Sequence, residues 1–220
     1  MGGINWVSNM SRPDIGFASG QVCMSNSATI ADLFSANKLI KEIKSTQTSV
    51  LFPSLNLEEV YIKVYTDASY SNLKDGGSQG GFIAFLTDGI RSCPLMWRSA
   101  KAKRVVKSVG AAETMALLEG LESAFLLSKV VSEVLCHRQT GVVKVVGVTD
   151  NRNLFDSVYS SSLIDDKGIL VYLNCIRQMV NLNEAKIEWV NSEGQISDVL
   201  TKMGASSSLI RAVLARGSLN

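Results

Sequence analysis

The chain has 220 residues, a net charge of only +2 and 46% apolar residues. That supplies the core of one large or two small domains, and it excludes a protein that binds nucleic acid through bulk positive charge. No run is long and apolar enough to span a bilayer, and Met1-Gly2-Gly3-Ile4-Asn5-Trp6 lacks the basic and apolar regions of a signal peptide, so no membrane association is expected.

Residues 1 to about 52 read as a small helical segment. Pro13 sets a helix start after Arg12. The stretch Ala28–Lys44 places Ile30, Leu33, Phe34, Leu39, Ile40 and Ile43 near one face, with Ser27 as N-cap. Phe52-Pro53-Ser54 breaks the pattern, and a short polar linker follows to Glu59.

A second block runs from about 60 to 204. The alternation Val60–Thr66 predicts a strand ending at Asp67. A turn-rich loop, Ser71–Ser78, leads to a strand over Gly81–Leu86, a Thr87-Asp88-Gly89 hairpin turn and a third strand over Pro94–Arg98. Trp97 lies within that strand and is expected in the core. A helix then carries Glu113 and runs to about Val131, with Met115, Leu118, Glu122 and Phe125 spaced for packing. The β-branched run Val142–Thr149 predicts a buried strand ending at Asp150. Helices over Asn151–Tyr159 and Asp165–Leu182, a strand over Ala185–Val190 and a helical stretch bearing Asp198 complete the block. Residues 205–220 form a C-terminal tail with a small helix around Leu209–Arg216.

Asp67, Glu113, Asp150 and Asp198 therefore fall at strand ends or early in helices, where an α/β sheet can bring them to one edge. Clustered carboxylates repel unless cations hold them. Mg²⁺ takes oxygen ligands and binds substrate phosphates, so a pair of Mg²⁺ ions is the natural occupant, with Mn²⁺ as a substitute. Lys101, Lys103, Arg104 and Lys107 cluster just before Glu113 and are candidates for phosphate contact. Cys23, Cys93, Cys136 and Cys175 form no CxxC pair. They read as reduced thiols of an intracellular protein, with Cys93 and Cys175 buried as small hydrophobes. Cys136-His137 has no second ligand pair at zinc spacing.

The segments Val64-Tyr65-Thr66-Asp67-Ala68-Ser69, Ala112–Leu117, Val148-Thr149-Asp150-Asn151 and Gln195–Lys202 resemble the ribonuclease H domain of copia-type retrotransposon polyproteins. Ser11-Arg12-Pro13-Asp14-Ile15 is similar to the stretch that follows the polymerase palm in those polyproteins. Ser92–Lys101 is similar to their strand ending in Ser-Ser-Lys. The resemblance covers nearly the whole chain, in the family's order. It implies an α/β fold: a ribonuclease H-like mixed five-stranded sheet flanked by helices, after a small helical segment. It further implies a Mg²⁺-dependent endonuclease that hydrolyses the RNA strand of RNA–DNA hybrids. Asp67 would bridge two ions, Glu113 and Asp150 would complete one and Asp198 the other. Ser108, Asn151 and Arg152 occupy positions where the family places substrate-contacting polar side chains. The remainder of a reverse transcriptase polyprotein is the implied partner, and a cytoplasmic virus-like particle or the nucleus the implied location.

Departures from the pattern are specific. Val109-Gly110-Ala111 replaces a polar stretch, and Arg152 stands where Gln is typical. The loop Asn191–Gln195 lacks the His of cellular enzymes, the only His being His137, and no Tyr-x-Asp-Asp polymerase motif exists. A catalytically weak nucleic-acid-binding or connection-like module is the alternative. An integrase or a proofreading exonuclease of the same superfold is a third reading, and Ser69 removes the exonuclease's Asp-x-Glu.

Overall fold

A computed structural model describes residues 2–23, 29–135, 142–160 and 166–219. Five strands form one sheet: β1 (Tyr61–Ser69), β2 (Gln79–Thr87), β3 (Ser92–Lys101), β4 (Val145–Thr149) and β5 (Ala185–Trp189), in the order β3-β2-β1-β4-β5. β1 pairs antiparallel with β2 and parallel with β4; β2–β3 is antiparallel and β4–β5 parallel. This is the mixed five-stranded sheet flanked by helices that the resemblance implied. β1 runs past Asp67, because Ala68 and Ser69 still pair with Gly80 and Gln79. Pro94 is tolerated because β3 is an edge strand.

Alternation along the central strands buries both faces. In β2, Phe82 and Ala84 join Ile62, Val64 and Leu117 on one side, while Ile83 and Phe85 join Tyr65, Val148 and Leu200 on the other. The first side is covered by the long helix α4 (Val109–Val134) with α5 (Arg152–Tyr159) and α6 (Lys167–Asn181). α4 buries Leu117, Leu118, Gly120, Leu121, Ala124 and Ser128; of the expected Met115-Leu118-Glu122-Phe125 stripe Leu118 is buried, Met115 and Phe125 are half-buried, and Glu122 is exposed. Small residues face the sheet because helix and sheet approach closely. A Cβ at Gly120 would lie 2.5 Å from Thr66 Cγ2, and one at Gly147 2.8 Å from Leu121 Cδ2.

The second side is covered by a 3₁₀ turn over Ile196–Leu200, which carries Asp198, and by α7 (Ser208–Arg216). α7 lies in the stretch expected as a tail; it buries Ile210, Val213 and Leu214 against the sheet and ends at Gly217, whose φ of 63° suits glycine. The helical segment comprises α1 (Gly2–Met10), a 3₁₀ turn at Pro13–Ile15, α2 (Gly16–Cys23) and α3 (Ile30–Ser45); residues 46–60 are irregular. Position 27 lies outside the described residues. The observed cap of α3 is Thr29, in a reciprocal capping box with Asp32.

α3 turns Ala36 and Leu39 inward, and leaves Ile30, Leu33 and Phe34 exposed, so its apolar residues do not share one face. The segment packs against the sheet domain. Trp97 Nε1 donates to Ser8 O at 2.8 Å, and buried Asp14 accepts from Arg12 and from Arg211 of α7, both at 2.8 Å. Cys93 is half-buried, but Cys175 is exposed on α6, contrary to its apolar sequence neighbourhood. Cys136 and His137 lie outside the described residues.

Candidate active site

Sheet register assembles the first two carboxylates. β1 and β4 are parallel neighbours with Tyr65 opposite Val148, so the residues two further along each chain, Asp67 and Asp150, emerge side by side. α4 crosses over β1, and its close seat on Thr66 brings its second turn, with Glu113, over the same point. One oxygen from each of Asp67, Glu113 and Asp150 lies within 4.8 Å of the others. Asp67 and Glu113 are buried and Asp150 half-buried.

Asp198 is outside this trio and joins it through a lysine. Lys202 Nζ is 2.7 Å from Asp198 Oδ1 and 3.2 Å from Asp67 Oδ1. Asp67 Oδ2 also accepts a hydrogen bond from Thr201 Oγ1. Asp150 is oriented by Ser192, whose Oγ donates to its Oδ2 at 2.9 Å. Gln195 is buried, donates to Thr66 O at 2.9 Å and faces Asp150 Oδ1 at 3.5 Å; Ser197 Oγ donates to its Oε1. Thr201, Lys202, Ser192 and Gln195 had no assigned role in the sequence reading. The motif Gln195–Lys202 contained three of them, but their partners in β1 and after β4 are set by tertiary structure.

The electrostatics follow from this crowding. Burial raises Asp67 to about 6, opposed by the Lys202 ammonium and the Thr201 hydroxyl. Burial, and then the charges of Asp67 and Asp150, raise Glu113 to about 9. Burial works against the Lys202 charge, yet Asp67 and Asp198 outweigh it and hold its pKa above the ordinary lysine value. Glu113 Oε2 is buried with no hydrogen-bond partner among the described residues. A pocket of oxygen donors with an orphaned carboxylate oxygen fits a hard divalent cation. Asp67, Glu113 and Asp150 could hold one, and Asp198 with Asp67 another once Lys202 moves aside.

The candidate substrate residues divide. Lys101, Lys103 and Arg104 line a cleft of about 370 Å³ beside α4, together with Gln79, Arg98 and Tyr172. Lys101 is ion-paired with Asp75, and Arg104 donates to Tyr172 Oη at 3.2 Å, while Lys103 is exposed. Ser108 and Asn151 serve as N-caps: Ser108 Oγ accepts from Ala111 N, and Asn151 Oδ1 from Leu154 N. Arg152 pairs with Asp156 and lies over the rings of Phe155 and Trp189, and the Trp189 indole donates to Asp150 O at 3.0 Å. Trp97 is half-buried against the second core, not offered for stacking.

No family model matches the chain, and no curated protein matches it. Among solved structures it is similar to ribonuclease H1 from the halophilic archaeon Halobacterium salinarum NRC-1, at 14% identity and a TM-score of 0.49, over 64% of this chain and 94% of that one. The N-terminal ribonuclease H domain of Rv2228c from Mycobacterium tuberculosis, solved as a fusion with maltose-binding protein, aligns at 16% identity and a TM-score of 0.49, over 71% and 99%. The foamy viral protease–reverse transcriptase in complex with an RNA/DNA hybrid aligns at 13% identity and a TM-score of 0.44, over 78% of this chain and 25% of that one.

Proposed function

We propose that this chain is a divalent-metal-dependent endonuclease of the ribonuclease H type, which hydrolyses the RNA strand of RNA–DNA hybrids. The single observation that carries the reading is the convergence of Asp67, Glu113 and Asp150 within 4.8 Å, with Asp198 one lysine away. A structural network would not gather buried acids without pairing each of them, and Glu113 Oε2 has no partner among the described residues.

Mg²⁺ ions held there would supply a water of lowered pKa and stabilise the departing oxyanion. The chain's own residues position the carboxylates and manage their protons. Ser192 and Gln195 fix the Asp150 carboxylate. Thr201 holds Asp67 Oδ2, while Oδ1 faces the Lys202 ammonium. Glu113, raised to about 9 by burial and by the charges of Asp67 and Asp150, would hold a proton in the metal-free protein and would have to release it to serve as a ligand. Lys103 and Arg104, with Lys101 behind them, offer phosphate contacts along the adjoining cleft. None of the four acids acts as a nucleophile.

The order of the motifs supports an origin in a copia-type reverse transcriptase polyprotein, with the rest of that polyprotein as partner and a virus-like particle or the nucleus as location. No described helix is long and apolar enough to cross a membrane. A catalytically weak binding module remains the second reading, favoured by the engagement of Ser108 and Asn151 in caps and of Lys202 in the carboxylate group. Incubation with an RNA–DNA hybrid labelled on the RNA strand, with and without Mg²⁺, separates the two: the endonuclease cuts only with metal, whereas the binding module retains the hybrid uncut.

A further inference from the structure

The turn that carries Asp198 is gripped from two sides, and one of them belongs to the N-terminal helical segment. Leu200, two residues after Asp198, is fully buried. Beneath it lies Gly81 of β2, where a Cβ would come 2.7 Å from Leu200 Cβ and 3.0 Å from Thr201 Cγ2. Above it lies Gly16, the first residue of α2, where a Cβ would come 2.8 Å from Leu200 Cδ2 and 3.4 Å from Ser99 Cβ. Leu200 is fully buried in the second core, so its Cδ2 has little room to yield to a group added at Gly16. The Gly16 side is itself anchored. Asp14 is held by Arg12 and Arg211, Ile15 is buried, and Trp97 is hydrogen-bonded to Ser8 O. Immediately beyond Leu200, Thr201 donates to Asp67, and Lys202 spans Asp67 and Asp198. A shift of this turn therefore moves Asp198 and both Asp67 contacts together, while Glu113 and Asp150 stand on other elements.

We propose that Gly16 is a positioning residue of the active site: the N-terminal segment, through Gly16 against Leu200, sets the position of Asp198 relative to Asp67 and so the affinity of the Asp67/Asp198 half of the site for a divalent cation. This rests on the metal-dependent reading above. It makes the helical segment a working part of the site, through which any displacement of α2 would reach the metal-binding carboxylates.

The test is Mn²⁺ binding to the full chain, followed by electron paramagnetic resonance and calorimetry, for wild type, Gly16→Ala, Gly16→Val and the double variant Gly16→Ala/Leu200→Val. The wild type is expected to bind two ions. In Gly16→Ala the weaker step should fall by about tenfold with the tighter step unchanged, and Gly16→Val should enlarge the loss. The double variant should recover most of it, because the shorter side chain at 200 returns the space; a general loss of packing would be worsened, not rescued. Should Gly16→Val fail to fold, Gly16→Ala and its rescue decide. Wild-type affinities at both steps in Gly16→Ala, equal weakening of both steps, or a double variant weaker than the single would each overturn the proposal and leave the metal-dependent reading standing. A wild type that binds no Mn²⁺ would overturn the reading itself and this inference with it.

Discussion

The Lys202 ammonium lies 3.2 Å from Oδ1 of Asp67, inside the carboxylate group that would hold a divalent cation. It bonds Asp198 at the same time, so one cation of the chain's own neutralises part of two acidic side chains. Lys202→Met should therefore have two opposite effects. The metal-free protein loses thermal stability, because Asp67 keeps its burial and loses its counter-charge, while Mg²⁺ binds several-fold more tightly because no ammonium competes. Thermal shift with and without Mg²⁺ reads both. Equal stability and equal metal response in the variant would remove Lys202 from the account.

The raised acids give a pH dependence of definite sign. Asp67 stands at about 6 against an ordinary 3.8, and Glu113 at about 9 against 4.5. A group whose folded pKa is raised contributes fully below its unfolded value, and that contribution is lost as pH rises through the folded value. The metal-free protein should thus lose stability from pH 3.8 to about 6 through Asp67, and from 4.5 to about 9 through Glu113. The slope is up to about 1.4 kcal/mol per pH unit for each group in its window. Saturating Mg²⁺ should flatten the decline, because cations hold the ionised forms. Chemical denaturation over this range measures it; stability that rises with pH in the metal-free protein would contradict the burial assigned to Glu113.

Hybrid binding should carry an electrostatic signature at the cleft beside α4. Replacing Lys101, Lys103 and Arg104 with Ala should weaken binding and reduce the slope of log affinity against log salt by roughly two to three. Lys101 should contribute least of the three, because Asp75 already pairs with it. Fluorescence anisotropy across a salt series measures the slope, and an unchanged one would make the run from Lys101 to Lys107 a solvated loop.

Asp14 joins the helical segment to α7, and both of its arginine partners matter. Burial alone would raise the Asp14 carboxyl, but Arg12 and Arg211 outweigh it and hold it below the ordinary aspartate value. Arg12→Met leaves a buried carboxylate short of one partner and should cost about 3 kcal/mol in urea denaturation. Deleting residues 1–52 removes Asp14 and the cover over Trp97 and Leu200, and should destabilise the rest of the chain. A truncated protein as stable as the whole would show that the segment only rests on the sheet.

The strands and the four acids were legible in the sequence because period-two alternation and short β-branched runs are local signals. Asp67 and Asp150 could be placed at strand ends from that reading, since each directly follows such a run, but their meeting depends on the parallel register of β1 and β4. What was not legible depends on distant partners. The end of β1 was missed because Ser69 and Gln79 are polar yet pair within the sheet. The inward face of α4 was read only in part: Leu118 is buried as expected, but close approach to the sheet also places Gly120, Ala124 and Ser128 there, and small residues carry no apolar signal. Ser108 and Asn151 share residue types with substrate contacts and with helix caps, and only the start of the helix decides between them. Gln195 and Lys202 act on Asp150 and Asp67, far away in sequence, so nothing in their own neighbourhood marks them.

The most direct test of the central claim is cleavage of the RNA strand of an RNA–DNA hybrid by the full chain in Mg²⁺, beside Asp67→Asn and Asp150→Asn. The expected result is cleavage by the wild type that stops when metal is chelated and is abolished in both variants, with circular dichroism spectra unchanged. Cleavage at the wild-type rate by either folded variant, or a wild type that binds Mg²⁺ and hybrid but leaves the RNA strand intact, would contradict the account.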